Sequence, residues 1–154
     1  MTKINWNNPI YLNRDLAAQL GVVAYYPFKE RGGTIVRGYA GTRRDATLVG
    51  GSQIVGRGEP ALSFDGVDDY LSLPATVMPG STGSITLWWK PTETLGAVTH
   101  AIFTAAVATP VKLLQLFPFS DGNFYAGWYN NGDDDRIATA IAGLGITTNA
   151  WHHL

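Results

Sequence analysis

The sequence predicts an all-β, antiparallel β-sandwich. Short apolar stretches with a period of two recur at roughly 8–12-residue spacing between turn signals. The eighteen glycines and eight prolines of the 154-residue chain are spread along it rather than clustered. That texture suits many short strands joined by tight turns. Hydrophobic residues make up 45% and charged residues 15%, enough apolar material for a core and too little charge for a disordered chain.

Residues 1–12 are polar and contain Pro9, and read as an extended arm. Over residues 13–21, Asn13 is placed to cap one or two helical turns and Gly21 to end them. Residues 1–20 therefore form an N-terminal arm with a short helical turn, and residues 21–154 the sandwich. Residues 22–28 are apolar and aromatic and read as a strand near a sheet edge, ended by Pro27. The stretch 31–58 is glycine-rich, with extended pieces at 34–36 and 46–49. Residues 61–64 and 69–73 both alternate, and Asp65-Gly66 signals a turn between them.

Residues 84–91 give the clearest strand, with Ile85, Leu87 and Trp89 on one face and Thr86, Trp88 and Lys90 on the other. Residues 100–108 and 112–117 are further apolar runs. Residues 123–129 alternate Phe124, Ala126 and Trp128 with Tyr125, Gly127 and Tyr129, and 136–142 form the return strand of a hairpin turned at 130–133. Residues 151–154 open one more strand.

The net charge of −1 gives no general attraction to nucleic acid or an anionic membrane. Locally, Lys29, Arg31, Arg37, Arg43, Arg44 and Arg57 face only Glu30 and Asp45 over residues 29–57. This is either solvated loop charge or a basic patch for an acidic partner. The absence of cysteine excludes disulfides and thiolate chemistry. The N-terminus as written has no apolar segment of the signal-peptide kind, and no apolar run reaches the ~18–20 residues of a membrane span.

Four segments, in order, resemble the laminin-G-like branch of the concanavalin A-like jelly rolls. They are G-V-V-A-Y-Y-P-F at 21–28, R-D-A-T-L at 44–48, A-L-S-F-D-G-V-D-D-Y-L at 61–71, and S-I-T-L-W-W-K-P at 84–91 paired with A-W-H-H-L at 150–154. The third is the most specific. Leu12-Asn13-Arg14 with Gly32-Gly33-Thr34 is also similar to laminin-G-like proteins encoded among bacteriophage structural genes. The resemblance implies a jelly roll of which this chain is the front portion, because in the family further strands follow the W-H-H strand. Completion by more of the chain, or by another chain through strand addition, is then expected.

The resemblance also implies calcium as the cofactor to test. Asp65, Asp68 and Asp69 offer hard oxygen ligands on a turn, and Asp68 and Asp69 match the acidic pair that supplies ligands in calcium-binding relatives. The alternative is a turn closed by Asp side chains. Asp133, Asp134 and Asp135 lack the alternate spacing and distal glutamate of an EF-hand loop and read as a solvated hairpin tip. Among the aromatics, Tyr25, Trp88, Trp128 and Tyr129 are candidates for contact with a ligand or partner, the alternative being burial between layers. His152 and His153 are adjacent on a strand, so they face opposite ways and read as structural.

No catalytic residue is expected. Glu30, Glu59 and Glu93 are isolated, without the paired spacing of a retaining glycosidase. The leading expectation is a non-enzymatic structural, decoration or adhesion module of a virion-type particle. Its partners would be other particle proteins or further copies of itself, together with glycans. The second is a calcium-assisted carbohydrate-binding module of an extracellular protein, and the third a glycosidase remnant.

Overall fold

The computed structural model describes residues 17, 19–40, 43–56, 59–77, 83–95, 101–108, 111–130 and 133–154. The chain divides into two compact units, Met1–Gly83 and Ser84–Leu154. Every strand pairing among the described residues is antiparallel, as the alternating pattern predicts. No helix among these residues is long and apolar enough to cross a membrane.

The first unit contains β1 (Ile35–Val36), β2 (Ala46–Val49), β3 (Ser52–Gly56), β4 (Glu59–Ser63) and β5 (Tyr70–Ser72), then a 3-10 turn at Ala75–Val77. The order β1-β2-β5 makes one sheet, and β3 and β4 pair as a hairpin. On β2 the buried residues Ala46 and Leu48 alternate with the exposed Thr47 and Val49, so one face enters the core. Val36, Ala46 and Leu48 form that core, with Tyr26, Phe28, Leu62, Leu71 and Leu73 packed around it.

The expected helical turn is visible at its end. Ala17 and Gln19 are helical, Gly21 has φ 68°, and the Val22 N–H donates to the Ala17 carbonyl at 2.8 Å. This is the 6→1 bond of a helix ended by a left-handed residue. Asn13 and the remainder of the arm, residues 1–16, lie outside the described residues.

The strand expected over 22–28 does not form. Pro27 offers no N–H to a ladder, and Phe28 takes φ 55°. The segment is held piecewise instead. Tyr39 N–H donates to the Tyr25 carbonyl at 2.9 Å, Tyr26 Oη donates to the Arg44 carbonyl at 2.7 Å, and Arg44 Nη1 donates to the Val23 carbonyl at 2.8 Å. Burial pushes the Tyr26 phenol pKa up.

Two further corrections concern pairing. Residues 52–56, outside the extended pieces expected at 34–36 and 46–49, form β3 and pair with β4 from Ser52↔Ser63 to Gly56↔Glu59. The segments on either side of Asp65-Gly66 do not pair with each other. β4 takes β3 as its partner, and β5 lies beside β2 with Leu48↔Leu71. The turn is present, but it carries the chain from one sheet to the other.

The second unit contains β6 (Trp88–Trp89), β7 (Phe103–Ala108), β8 (Val111–Pro118), β9 (Asn123–Asn130), β10 (Asp133–Ala140), a 3-10 turn at Ile141–Leu144, and β11 (His152–His153). β7 to β10 form a meander in the order β10-β9-β8-β7, and β11 pairs with β6. Reciprocal backbone bonds between Leu87 and Leu154, at 2.9 and 3.1 Å, extend the β6–β11 ladder by one residue. Asp133, Asp134 and Asp135 belong to β10, opposite Asn130, Tyr129 and Trp128. Asp134 and Asp135 are thus rungs of the ladder, and Asp133 with Asn130 is the pair that closes the hairpin expected at 130–133. The reason is economy of the turn: with Asn130 already paired to Asp133, only residues 131 and 132, outside the described residues, separate the strands.

Candidate functional site

The structure offers an acidic turn in the first unit and aromatic surfaces in the second. In the turn, one ligand oxygen from each of Asp65, Asp68 and Asp69 lies within 4.8 Å of the others. The local chain explains why they converge. Asp65 Oδ1 accepts the Val67 N–H at 2.8 Å, and Asp69 Oδ2 accepts the Asp65 N–H at 3.0 Å. These side-chain-to-backbone bonds close the turn. Gly50, just past β2, completes the fit. Its φ is 65°, and a Cβ there would collide with Asp69 Oδ1.

Calcium binds 6–8 oxygens at about 2.3–2.6 Å, so oxygens on opposite sides of one ion stand about 5 Å apart. The acidic turn meets that spacing and that ligand type. It supplies three carboxylates, and the rest of a shell would come from outside it. The residues therefore fit a calcium ion as a partial site, and their bonds to backbone serve the turn without one.

Trp88 and Trp89 face opposite ways on β6. Trp88 is 65% exposed. Its ring lies 4.9 Å from that of His153, its register partner on β11. His153 Nε2 lies 2.7 Å from Thr86 Oγ1, and the Thr86 hydroxyl donates to the Leu154 carbonyl at 2.9 Å. Because that hydroxyl has one proton to give, His153 Nε2 must donate to it, which fixes the ring. Trp88 is thus an outward aromatic resting on an immobilised imidazole.

On the other face, Trp89 meets Phe124 and His152, each at 6.5 Å between ring centroids. His152 Nε2 lies 2.9 Å from the Thr147 carbonyl oxygen and 3.1 Å from the Thr147 backbone nitrogen, so the backbone of Thr147 holds the ring. The two histidines diverge, as adjacent strand residues must.

Tyr129 is 36% exposed, and its neighbour Trp128 lies half-buried on the opposite face of β9. Tyr25 is half-buried in the first unit. Of the four contact candidates, Trp88 is the most outward, and Tyr25 and Trp128 are the least.

One feature was missed from sequence. Gln115, Gly127 and Arg136 stand in one cross-strand row. Arg136 reaches along that row to Gln115 Oε1 at 3.2 Å. Its guanidinium carbon lies 4.9 Å from the Tyr125 ring, 5.0 Å from Tyr129 and 5.4 Å from Phe117. Phe117 and Tyr125 stack at 5.5 Å, and Phe119 meets both edge-on at 5.9 Å. Tyr125 Oη donates to Asp121 Oδ2 at 2.7 Å. That bond holds the Asp121 carboxyl below its ordinary pKa and the Tyr125 phenol above its own. The signal in the sequence is Gly127 between Tyr125 and Tyr129, but it becomes readable only when the register puts Arg136 opposite.

A family model described as the concanavalin A-like lectin/glucanases superfamily, of laminin G type, matches residues 65–154, more than half of the chain. The chain belongs to this superfamily. The match starts at Asp65, so it takes in the acidic turn, Trp88, Trp128 and Tyr129, and leaves out Tyr25. No curated protein and no solved structure matches the chain. Membership in a lectin/glucanase superfamily points to carbohydrate binding or adhesion. Within a superfamily that hosts both binding and cleavage, function has to be argued from the side chains present.

Proposed function

We propose that this superfamily member is a non-enzymatic recognition module that holds glycan and protein surfaces, and that it serves as a structural, decoration or adhesion component of a virion-type particle. The observation that carries the recognition reading is Trp88, 65% exposed and resting against the ring of His153 at 4.9 Å. An exposed aromatic offers a flat apolar face that a sugar or a partner side chain can cover. The non-catalytic part is supported by the dispersal of the glutamates: Glu30 precedes β1, Glu59 opens β4 and Glu93 follows β6. The particle part is supported by the likeness of Leu12-Asn13-Arg14 and Gly32-Gly33-Thr34 to phage-encoded proteins.

A glycan array probed with the protein and with Trp88→Ala tests recognition. Binding that Trp88→Ala abolishes is the expected result, and binding unchanged by it removes the reading. Co-sedimentation with particles from the same source tests the second part. A protein that stays monomeric and joins no particle removes it.

A second reading, a calcium-assisted carbohydrate-binding module of an extracellular protein, is favoured by the convergence of Asp65, Asp68 and Asp69. Glycan binding lost on chelation and restored by calcium would select it, and binding indifferent to a chelator would eliminate it.

A further inference from the structure

β10 ends the meander sheet, with β9 on one side and no described strand on the other. The ladder shows which of its backbone groups face outward. The Ile141 N–H donates to the Gly122 carbonyl at 3.0 Å, one step beyond the pair Ala140↔Asn123. In an antiparallel pair, residues that bond across the ladder alternate with residues that bond away from it. Ile137 and Thr139 therefore bond inward to β9, and Arg136, Ala138 and Ala140 turn their N–H and C=O groups to the outer edge. Asn123 gives the same phase: it stands opposite Ala140, and its carbonyl accepts the Phe119 N–H on the far side, at 2.8 Å. Among the described residues, no backbone group meets Ala138 or Ala140 at the outer edge.

A strand edge is usually guarded by lysine, proline or a bulge. β10 has none of these: it reads DDDRIATA, and its register against β9 runs unbroken from Asp133 to Ala140. Residues 137–140 are all exposed, and Ile137, near the middle of the strand, is 72% exposed. The one cation of the strand is drawn away from the edge. The Arg136 guanidinium crosses the sheet to Gln115 Oε1 on β8 at 3.2 Å, and lies 4.9 and 5.0 Å from the Tyr125 and Tyr129 rings of β9. The charges left on the strand, Asp133, Asp134 and Asp135, are all at its first end.

We infer that this edge pairs antiparallel with the same edge of a second copy of the chain, about a two-fold axis at Ile137, so that two meanders join into one sheet. The inference goes beyond the proposed function: it assigns a surface and a partner, and uses neither Trp88 nor the acidic turn. The charge pattern of β10 selects the partner and the register. Like charges directly opposite each other destabilise a strand pair. A parallel copy in register would set the three aspartates against themselves, whereas an antiparallel copy carries them to opposite ends. Outward groups must meet outward groups, so the axis falls on a residue and not between two. An axis at Asp135 or Arg136 opposes like charges. An axis at Ala138 pairs only residues 136–140. With the axis at Ile137, residues 134–140 all pair: Asp134, Asp135 and Arg136 stand opposite Ala140, Thr139 and Ala138, and the exposed Ile137 covers its own counterpart.

The test is sedimentation velocity on the whole chain from about 5 to 500 µM, because one strand from each copy makes an interface at the small end of the specific range. The expected result is a dimer that grows with concentration. Ile137→Lys and Ile137→Glu should each weaken it by at least about tenfold, since each sets a like charge against itself at the axis. An equimolar mixture of these two variants should recover the dimer, because position 137 then faces its opposite. Ala138→Pro should also weaken it, as it removes an outward N–H and no bond to β9. Both positions are exposed, and circular dichroism checks that the variants fold. A chain that is monomeric over the whole range overturns the inference. So does a dimer or larger species that survives all three variants, or a mixture that fails to recover what its components lost. A monomeric chain that still binds glycan through Trp88 or joins a particle sinks this interface and leaves the proposed function standing.

Discussion

The guanidinium of Arg136 lies 4.9 Å from the centre of the Tyr125 ring, in the space left open by Gly127, the residue directly opposite Arg136 in the ladder. A side chain at 127 would stand where the guanidinium passes on its way to Gln115. Gly127→Val is therefore expected to destabilise the protein by about 1–3 kcal/mol through overpacking. The Gly127 φ of 136° adds to this cost. Urea unfolding checks the magnitude. A smaller effect for Gly127→Val in an Arg136→Ala background would show that the guanidinium is what the new side chain displaces.

Trp88→Ala should separate recognition from stability. With Trp88 65% exposed, its removal costs about 1 kcal/mol or less, mainly the contact with His153. Glycan or particle binding should fall while the midpoint of urea unfolding barely moves. A large loss of stability would reassign Trp88 to the core.

Gly50→Ala should disturb the acidic turn from outside it. The added Cβ would collide with Asp69 Oδ1 at a φ of 65° that favours glycine, a cost above about 1 kcal/mol. Asp69 would be pushed from the Asp65 N–H. The expected signature is lost amide-exchange protection at Asp65, with calcium binding, if present, weakened in parallel.

The bond between Asp121 and Tyr125 predicts two pH limits. The Asp121 pKa is lowered by the Tyr125 hydroxyl, so its contribution is present above the unfolded carboxyl value and lost as pH falls through the folded one. The Tyr125 pKa is raised above 10.0 by the same bond, so its contribution is present below that value and lost as pH rises through the folded one. The stability difference between wild type and Tyr125→Phe should be largest near neutrality and shrink at both ends. Unfolding midpoints measured across pH check this, and a flat difference would count against the bond.

Leu48→Ala should test the core of the first unit. Leu48 is 4% exposed and packed with Val36 and Ala46, so truncation should cost about 2–5 kcal/mol, read from chemical denaturation.

Much of the second unit was legible because its strands obey a period of two with large apolar residues. The alternation over 123–129 became β9, and the opposed faces of Trp88 and Trp89 became an exposed and a sheltered ring. Asp65, Asp68 and Asp69 were legible as a group because they are adjacent on one turn. What failed was whatever depended on a distant partner. β3 is short, and only its ladder with β4 marks it. Residues 22–28 have the composition of a strand, but Pro27 and Phe28 deny it a regular ladder. The basic excess over residues 29–57 was legible as charge, but the pairing of Val36 with Ala46, which sets Arg37 beside Asp45, was not.

The β3–β4 hairpin sits in sequence between β2 and β5, which pair with each other. Bringing β5 to β2 closes a loop that contains the whole hairpin, and closure entropy grows with the free length to be closed. A hairpin that has already zipped, an event of microseconds, ties off most of that length in advance. The expected order of assembly in this unit is the local ladder first and then the docking of β5, with the acidic turn taking its shape in the second step. Slowing β3–β4 formation should slow the maturation of the acidic turn, even though none of its three aspartates lies in that hairpin.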